Sequence, residues 1–209
     1  LWHDRKHLRW INPRLEDIYL EDINRAAVDD LKLAKLADGC KPATVNRTLS
    51  VVRAILRRAR DEWELLDTIP KVRLLPEPKG RIRYLTREEA DRLIAALPPH
   101  LSAMSKFALA TGLRSANVRM LRWEQVDLER RIAIFQADEM KANRPHGIPL
   151  NKDAMSVLRE QRGLHETWVF TYRDKPIKEL QRVAWAKACT EADITDFRFH
   201  DLRHTFASW

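Results

Sequence analysis

The feature that most restricts the fold of this sequence is a short aperiodic break between two long stretches of helical periodicity. Residues 74–81 of the 209-residue chain include two prolines and a glycine. Proline removes a backbone donor and glycine adds conformational freedom, so this composition favours an exposed connection over a helix or a strand. The sequence therefore predicts a domain at residues 1–76, a linker at residues 77–83 and a second domain at residues 84–209.

The first domain is predicted to be helical, with a basic surface along one helix. Over residues 44–63 apolar side chains recur every three or four positions, ending at Trp63, and Pro42 suits the first turn of such a helix. Residues 41–60 hold six basic side chains and no acidic one, in a chain whose formal charge is +8. A basic face opposite an apolar one indicates a polyanionic partner, although a solvated helix face is the alternative for each residue. The side chains expected to contact DNA are Asn46, Arg47, Arg53 and Arg57.

The second domain is predicted to be mainly α-helical with a small β-hairpin. Thr86 and Glu89 form a capping-box pattern ahead of a helix that reaches about residue 97. Residues 131–136 and 146–150 show the alternation of strands on either side of a polar turn. Further helices are predicted at about residues 101–110, 114–123, 151–162 and 178–192, and from about residue 200 onward.

Two arginines and a lysine in this domain have the chemistry that phosphodiester cleavage without a metal ion requires. Such a reaction needs positive charge at the non-bridging oxygens and a proton for the leaving oxygen. Arg114 follows a glycine turn and Arg203 lies between two histidines. A guanidinium keeps its charge and binds phosphate through two parallel hydrogen bonds. Lys141 lies in the turn of the predicted hairpin, where its ammonium group would protonate a leaving oxygen.

Three blocks around these residues resemble the tyrosine recombinases, the phage-integrase family. The first is Ala-Thr-Gly-Leu-Arg at residues 110–114, continued by Leu-Arg-Trp at residues 121–123. The second is Lys141 with Ile-Pro-Leu at residues 148–150, and the third is His-Asp-Leu-Arg-His-Thr-Phe-Ala at residues 200–207. Their order and spacing together are more specific than any one block. The resemblance covers essentially the whole chain and implies a helical, SAM-like core-binding domain followed by an α+β catalytic domain.

The resemblance implies roles for individual residues. Arg114 and Arg203 would bind the scissile phosphate, Lys141 would be the general acid, and His200 would assist proton transfer or orient the phosphate. The implied reaction is site-specific DNA recombination through a 3′-phosphotyrosyl intermediate, with no metal ion and no other cofactor. Asn117 stands where many members have glutamate, so one supporting contact of the family is in question.

The implied partner is double-stranded DNA, bound by a homo-tetramer on paired sites, in the cytoplasm and associated with the bacterial nucleoid. We expect the nucleophilic tyrosine to lie beyond residue 209 and the chain to be a fragment that is also clipped at its amino-terminal end. The tyrosines present, Tyr19, Tyr84 and Tyr172, are interpreted as packing or linker residues, and the seven tryptophans as core residues. Two cysteines without paired spacing favour a reducing compartment, and no apolar run reaches the length of a membrane span.

Two other functions stay open on the sequence alone. A DNA-binding protein or integrase remnant without catalysis would use the same cations only to grip phosphates. His200 and His204 are also spaced like the two ligands of a His-Glu-x-x-His zinc hydrolase, with Asp201 at the glutamate position. The zinc site is the weaker alternative, because aspartate is shorter than glutamate, Arg203 places positive charge beside the ion, and the sequence offers no evident third ligand.

Overall fold

The computed structural model describes residues 2–78, 80–136 and 145–209, and it divides into two compact units, Leu1–Gly80 and Arg81–Trp209. The division falls inside the segment assigned to a linker, residues 77–83. Both units are mainly helical, and small antiparallel sheets occur in the second, which confirms the predicted fold class. Within the described ranges, no helix is both long enough and apolar enough to cross a membrane.

The first unit contains the helices α1 (Trp2–Leu15), α2 (Arg25–Ala37) and α3 (Pro42–Asp61) around one core. The Asn24 side chain accepts a hydrogen bond from the Ala27 amide at 3.1 Å and so caps α2. Pro42 occupies the first turn of α3, where no backbone donor is needed. The chain that follows α3 covers this core with partly buried apolar side chains, namely Leu66, Ile69, Val72 and Leu75.

The apolar stripe predicted for α3 is confirmed along the helix but not at its end. Val45 and Leu56 are almost completely buried, as the three- and four-residue spacing requires. Trp63 is 51% exposed, because α3 ends before it and the chain leaves the helical path. The interpretation of the tryptophans as core residues is confirmed for Trp185, which is buried, and is wrong for Trp63 and Trp209, which are exposed.

In the second unit one buried helix organises the core. The helices are α4 (Arg87–Ala96), α5 (Pro99–Thr111), α6 (Ser115–Arg119), α7 (Lys152–Gln161), α8 (Arg182–Glu191) and α9 (Asp201–Ser208). Helix α5 buries residues on most of its circumference and packs against α7 and α9. Helix α4 starts with the predicted capping box, in which the Glu89 amide donates to Thr86 Oγ1 at 3.1 Å and the Thr86 amide donates to Glu89 Oε2 at 2.9 Å.

A three-stranded antiparallel sheet flanks these helices, in the order β1 (Val126–Asp127), β2 (Ile132–Phe135), β3 (His146–Pro149). The pairing of β2 with β3 confirms the predicted hairpin. Ala133 and Phe135 face the core while Ile134, between them, is 45% exposed, which is the alternation of a half-buried strand. A second, two-stranded sheet pairs β4 (Thr171–Tyr172) with β5 (Lys175–Pro176).

Candidate active site

The first arginine of the candidate site is placed by the turn between α5 and α6. Helix α5 ends in Gly112, whose φ of 62° is a left-handed conformation that glycine adopts without strain. Arg114 follows as the residue that caps α6, with extended backbone angles and a half-buried side chain. The last turn of α5 is also held by α7, because Asn151, the residue that caps α7, donates to the Ala110 carbonyl oxygen at 3.0 Å.

Helix α6 is fixed in turn by a second arginine. Arg119 donates from Nε to Ser115 Oγ at 3.2 Å and from Nη1 to the Ile177 carbonyl oxygen at 3.1 Å. Burial lowers the pKa of Arg119, with nearby Glu179 acting in the opposite direction. Arg119 therefore ties the short helix that begins next to Arg114 to the chain after β5.

The second candidate arginine reaches the same turn from α9. Arg203 is exposed and donates from Nη1 to the Gly112 carbonyl oxygen, across 91 residues of sequence. Gly112 also admits α9 closely, since a Cβ built on it would lie 2.2 Å from Phe206 Cδ1. The structure thus brings Arg203 to the backbone two residues before Arg114.

The charge of both arginines is left available. In the part of the chain that the structure describes, neither Arg114 nor Arg203 forms an ion pair with an acidic side chain. The carbonyl oxygen of Gly112 orients Arg203 without neutralising it, and a guanidinium has further N–H groups with which to bind a phosphate. Neither guanidinium is therefore neutralised by a described acidic side chain.

The two histidines of the third block lie beside Arg203. His200 immediately precedes α9 and His204 lies one turn later; both are exposed, and their ring centroids are 5.8 Å apart. Spacing of three and four residues places His200, Arg203 and His204 on one face of the helix. Among the described residues, no three His, Cys, Asp or Glu side chains converge on a point that a metal ion could occupy, so the two histidines find no third partner for zinc there.

Asp201, between these residues in sequence, points the other way. It is buried and accepts hydrogen bonds from Arg81 Nη2 at 2.5 Å and from the Arg198 amide at 2.8 Å. Arg81 also pairs with Asp196 at 2.7 Å. No sequence pattern points to Arg81, because it lies in the aperiodic break and contacts Asp201 across 120 positions.

Lys141, the candidate general acid, lies outside the described residues. Strand β2 precedes Lys141 in the chain and β3 follows it. The two strands pair with each other, with Ile132 opposite Pro149 at one end and Phe135 opposite His146 at the other. Its assignment therefore stays a prediction.

One of the four residues expected to contact DNA was placed wrongly. Asn46 is 5% exposed, and its amide donates to the Leu75 carbonyl oxygen at 2.9 Å and to Glu77 Oε1 at 2.6 Å. Its Oδ1 accepts from the Leu75 amide at 2.8 Å. Asn46 therefore holds the chain that follows α3 against that helix. Periodicity did not predict this, because a polar amide can be buried when backbone groups replace water as its hydrogen-bond partners.

The other three residues stay on accessible surface. Arg47 and Arg57 are exposed and Arg53 is half-buried. Within the described residues these three have no ion pair, whereas Arg58 and Arg60 on the same helix pair with Glu62 and Asp61. The unpaired set fits a surface that binds phosphates, but no contact in the structure tests that assignment.

The second unit matches the model of the phage integrase family over residues 83–209. The integrase of Salmonella phage P22 is 41% identical over 186 residues, which cover 81% of this chain and 48% of that protein. The shufflon-specific DNA recombinase of Escherichia coli is 32% identical over 201 residues, which cover 91% of this chain and 50% of the recombinase. The chain thus spans about half the length of the curated relatives it matches.

The fold is also that of a solved integrase. Lambda integrase, as a dimer bound to a COC′ core site, matches 97% of this chain and 76% of its own chain with a TM-score of 0.72 and 20% sequence identity. At that identity the likeness concerns the fold alone. The family match itself accounts for more than half of the sequence and contains both arginines and both histidines of the site, and this chain belongs to the phage integrase family.

Proposed function

We propose that the protein to which this chain belongs carries out site-specific recombination of double-stranded DNA. The observation that carries the proposal is the hydrogen bond from Arg203 to the Gly112 carbonyl oxygen, which brings the third sequence block to the first across 91 residues. A site that binds the scissile phosphate with arginines stabilises the negative charge that develops on its non-bridging oxygens. Membership of the phage integrase family supports the same reaction.

The chemistry proposed is a transesterification. A tyrosine oxygen attacks the phosphorus while the bond to the 5′ oxygen breaks, and the strand becomes joined to the protein through a 3′-phosphotyrosine. Lys141 gives the leaving oxygen its proton, and His200 orients the phosphate or moves a proton. Attack by a 5′ hydroxyl on the phosphotyrosine reverses these steps and rejoins DNA, so bond energy is conserved and no nucleotide cofactor is consumed.

Assembly and location belong to the same proposal. Exchange of both strands between two duplexes takes four cleavages, and if each protomer makes one, the active assembly is a homo-tetramer on paired sites. A protein of this kind works on DNA in the nucleoid. Sedimentation of the complex on paired sites, compared with a single site, measures the stoichiometry.

Covalent capture tests the reaction. The complete reading frame that encodes this chain is expressed and mixed with a pool of nicked duplexes of random sequence, in the presence of EDTA, and DNA that stays on the denatured protein is recovered. We expect an adduct that Arg203→Ala and Arg114→Ala each reduce by at least about 100-fold, because each removes a charge from the transition state. Arg130→Ala is the matched control, since the Arg130 side chain is 84% exposed and pairs only weakly with Asp127 at 3.7 Å.

Two outcomes favour the rival functions. DNA binding without any adduct points to a non-catalytic DNA-binding protein. Cleavage that EDTA abolishes, with zinc bound in stoichiometric amount, points to a zinc hydrolase.

Salt dependence tests the basic surface of α3. Arg47→Ala or Arg57→Ala is expected to lower the slope of log affinity against log salt by about one for duplex DNA, because each removes one phosphate contact. Arg60→Ala on the same helix is the control, because Arg60 is already paired with Asp61 at 2.6 Å. Slopes equal to that of the wild type for both Arg47→Ala and Arg57→Ala would remove α3 from the DNA interface.

A further inference from the structure

A stretch of chain at the start of the second unit runs along the whole of α9. We call residues 81–87 the α9 strap. Arg81 contacts Asp201 at the first turn of α9, the Leu85 amide donates to Thr205 Oγ1 at 3.1 Å in the middle, and Trp209 Nε1 donates to the Leu85 carbonyl oxygen at 3.0 Å at the end. The contacted positions 201, 205 and 209 are four residues apart, so they form one stripe along the helix.

This stripe and the candidate phosphate site share the helix but use different faces. Asp201 and Thr205 are buried under the strap, whereas His200, Arg203 and His204 are exposed. A helix moves as a rigid element, so whatever fixes the buried face also fixes the direction in which the exposed residues project. The strap is therefore placed to set the geometry of the site without touching a substrate.

Of the three contacts between the strap and the stripe, the one made by Arg81 is an ion pair. Its guanidinium lies 2.5 Å from Asp201 and 2.7 Å from Asp196, and its side chain is 29% exposed against 9% for that of Asp201. The hydrogen bond to Asp196 is the largest cause that raises the pKa of Arg81, and the same bond lowers the pKa of Asp196. Without Arg81, Asp201 would keep one backbone donor, from Arg198, and would lose its ion-pair partner, which leaves Arg83 as a cation that acts on it through space and not through a hydrogen bond.

We propose that Arg81 is a positioning residue for the phosphate-binding site: by holding and neutralising Asp201 it fixes the first turn of α9 and keeps a buried carboxylate from opposing an anion at His200 and Arg203. The inference rests on the proposed function and adds to it a residue that precedes residue 83, where the family match begins. Two effects act together. The ion pair orients the turn, and it cancels a negative charge on the residue next to His200.

The matched control lies two residues away in the same strap. Arg83 pairs with Glu89 at 2.7 Å, and its side chain is 28% exposed, against 29% for Arg81. Glu89 belongs to α4, so the Arg83 pair fastens the strap to a different helix. Loss of either pair is expected to lower the unfolding temperature, and an effect on the site is expected only from Arg81.

The experiment follows binding of inorganic phosphate to the purified 209-residue chain by ¹H–¹⁵N spectra of the arginine side chains and histidine rings. We expect Arg81→Gln to weaken the phosphate affinity about tenfold and to shift the Arg203 and His200 signals even without phosphate. Arg83→Gln should change the affinity less than about twofold. Arg81→Lys, which keeps the charge, should recover most of the loss.

A double variant separates charge from shape. Asp201→Asn keeps an oxygen for the Arg198 amide but removes the negative charge, so adding it to Arg81→Gln should restore phosphate affinity to within about threefold of wild type. Equal losses in Arg81→Gln and Arg83→Gln, or no rescue by either Arg81→Lys or Asp201→Asn, would overturn the positioning role while leaving the phosphate site in place. Absence of phosphate-induced shifts at Arg203 in the wild-type chain would instead overturn the phosphate site of the proposed function, and this inference with it.

Discussion

Substitution of Gly112 by alanine tests whether the close approach of α9 to the arginine turn is as tight as the structure has it. Two costs add. A non-glycine residue at a φ of 62° costs about 1 kcal/mol. The new Cβ would lie 2.2 Å from Phe206 Cδ1 and 2.9 Å from its Cγ, so the ring has to move by more than about 1 Å to reach ordinary contact. Phe206 is 43% exposed and can swing toward solvent, which limits this second cost to about 1–2 kcal/mol.

The expected loss for Gly112→Ala is therefore about 2–3 kcal/mol of unfolding free energy. Gly163→Ala is the matched control, because Gly163 has a φ of 86° in the same unit and a Cβ there would meet nothing within 4 Å. Urea unfolding followed by circular dichroism measures both variants in the transition of the second unit. Phosphate affinity should also fall for Gly112→Ala alone, since the Gly112 carbonyl oxygen orients Arg203. If the two variants lose the same stability to within about 0.5 kcal/mol, the packing argument is refuted.

Three further predictions concern polar side chains that are fully or partly buried. Asn46→Ala should cost about 2–3 kcal/mol in the first unit, measured by urea unfolding, because it removes three hydrogen bonds and takes the side-chain partner away from the Leu75 amide and carbonyl groups, and it should leave the salt slope of DNA binding unchanged. The hydrogen bond from Arg83 holds the pKa of Glu89 below its ordinary value of 4.5, so this pair adds stability above about pH 4.5 that is lost as the pH falls through the folded-state pKa; Glu89→Gln should flatten that acid-side fall in unfolding temperature. Burial raises the pKa of the Cys189 thiol while Cys40 is only half-buried, so iodoacetamide at about pH 8 should modify Cys40 at least about tenfold faster, as read by peptide mass spectrometry.

The helices were predictable because local rules and tertiary packing agree along them. The stripe on α3 is periodic over five turns, and the Thr86 capping box marks the start of α4 as the backbone requires. The hairpin of β2 and β3 was predictable from alternation alone. Strand β1 was missed because two residues, Val126 and Asp127, are too few to show any period.

The site was predictable only in part, for a different reason. Motif spacing identified Arg114 and Arg203, and the structure brings Arg203 to the turn that leads to Arg114, but spacing says nothing of what holds them. Asn46 was predicted to lie on a polar face but is buried and hydrogen-bonded to Leu75 and Glu77. The sequence did not reveal this, because these partners lie about thirty positions away along the chain. Contacts at that separation, or at the 120 positions between Arg81 and Asp201, have no local signature.

A phosphate-binding site made of arginines needs contacts that orient each guanidinium without neutralising its charge. Around α9, different groups orient Arg203 and neutralise the nearby acid. Arg203 is oriented by a neutral acceptor, the Gly112 carbonyl oxygen. A carboxylate acceptor would also orient Arg203, but it would neutralise the guanidinium charge. The acid that the helix does carry, Asp201, is turned to the opposite face and paired there with Arg81. Because buried charges are costly unless paired, the acid at the start of α9 demands its own cation, and that cation comes from the strap. Arg81, which lies outside the three sequence blocks, thus neutralises Asp201 and leaves the charge of Arg203 available for a phosphate.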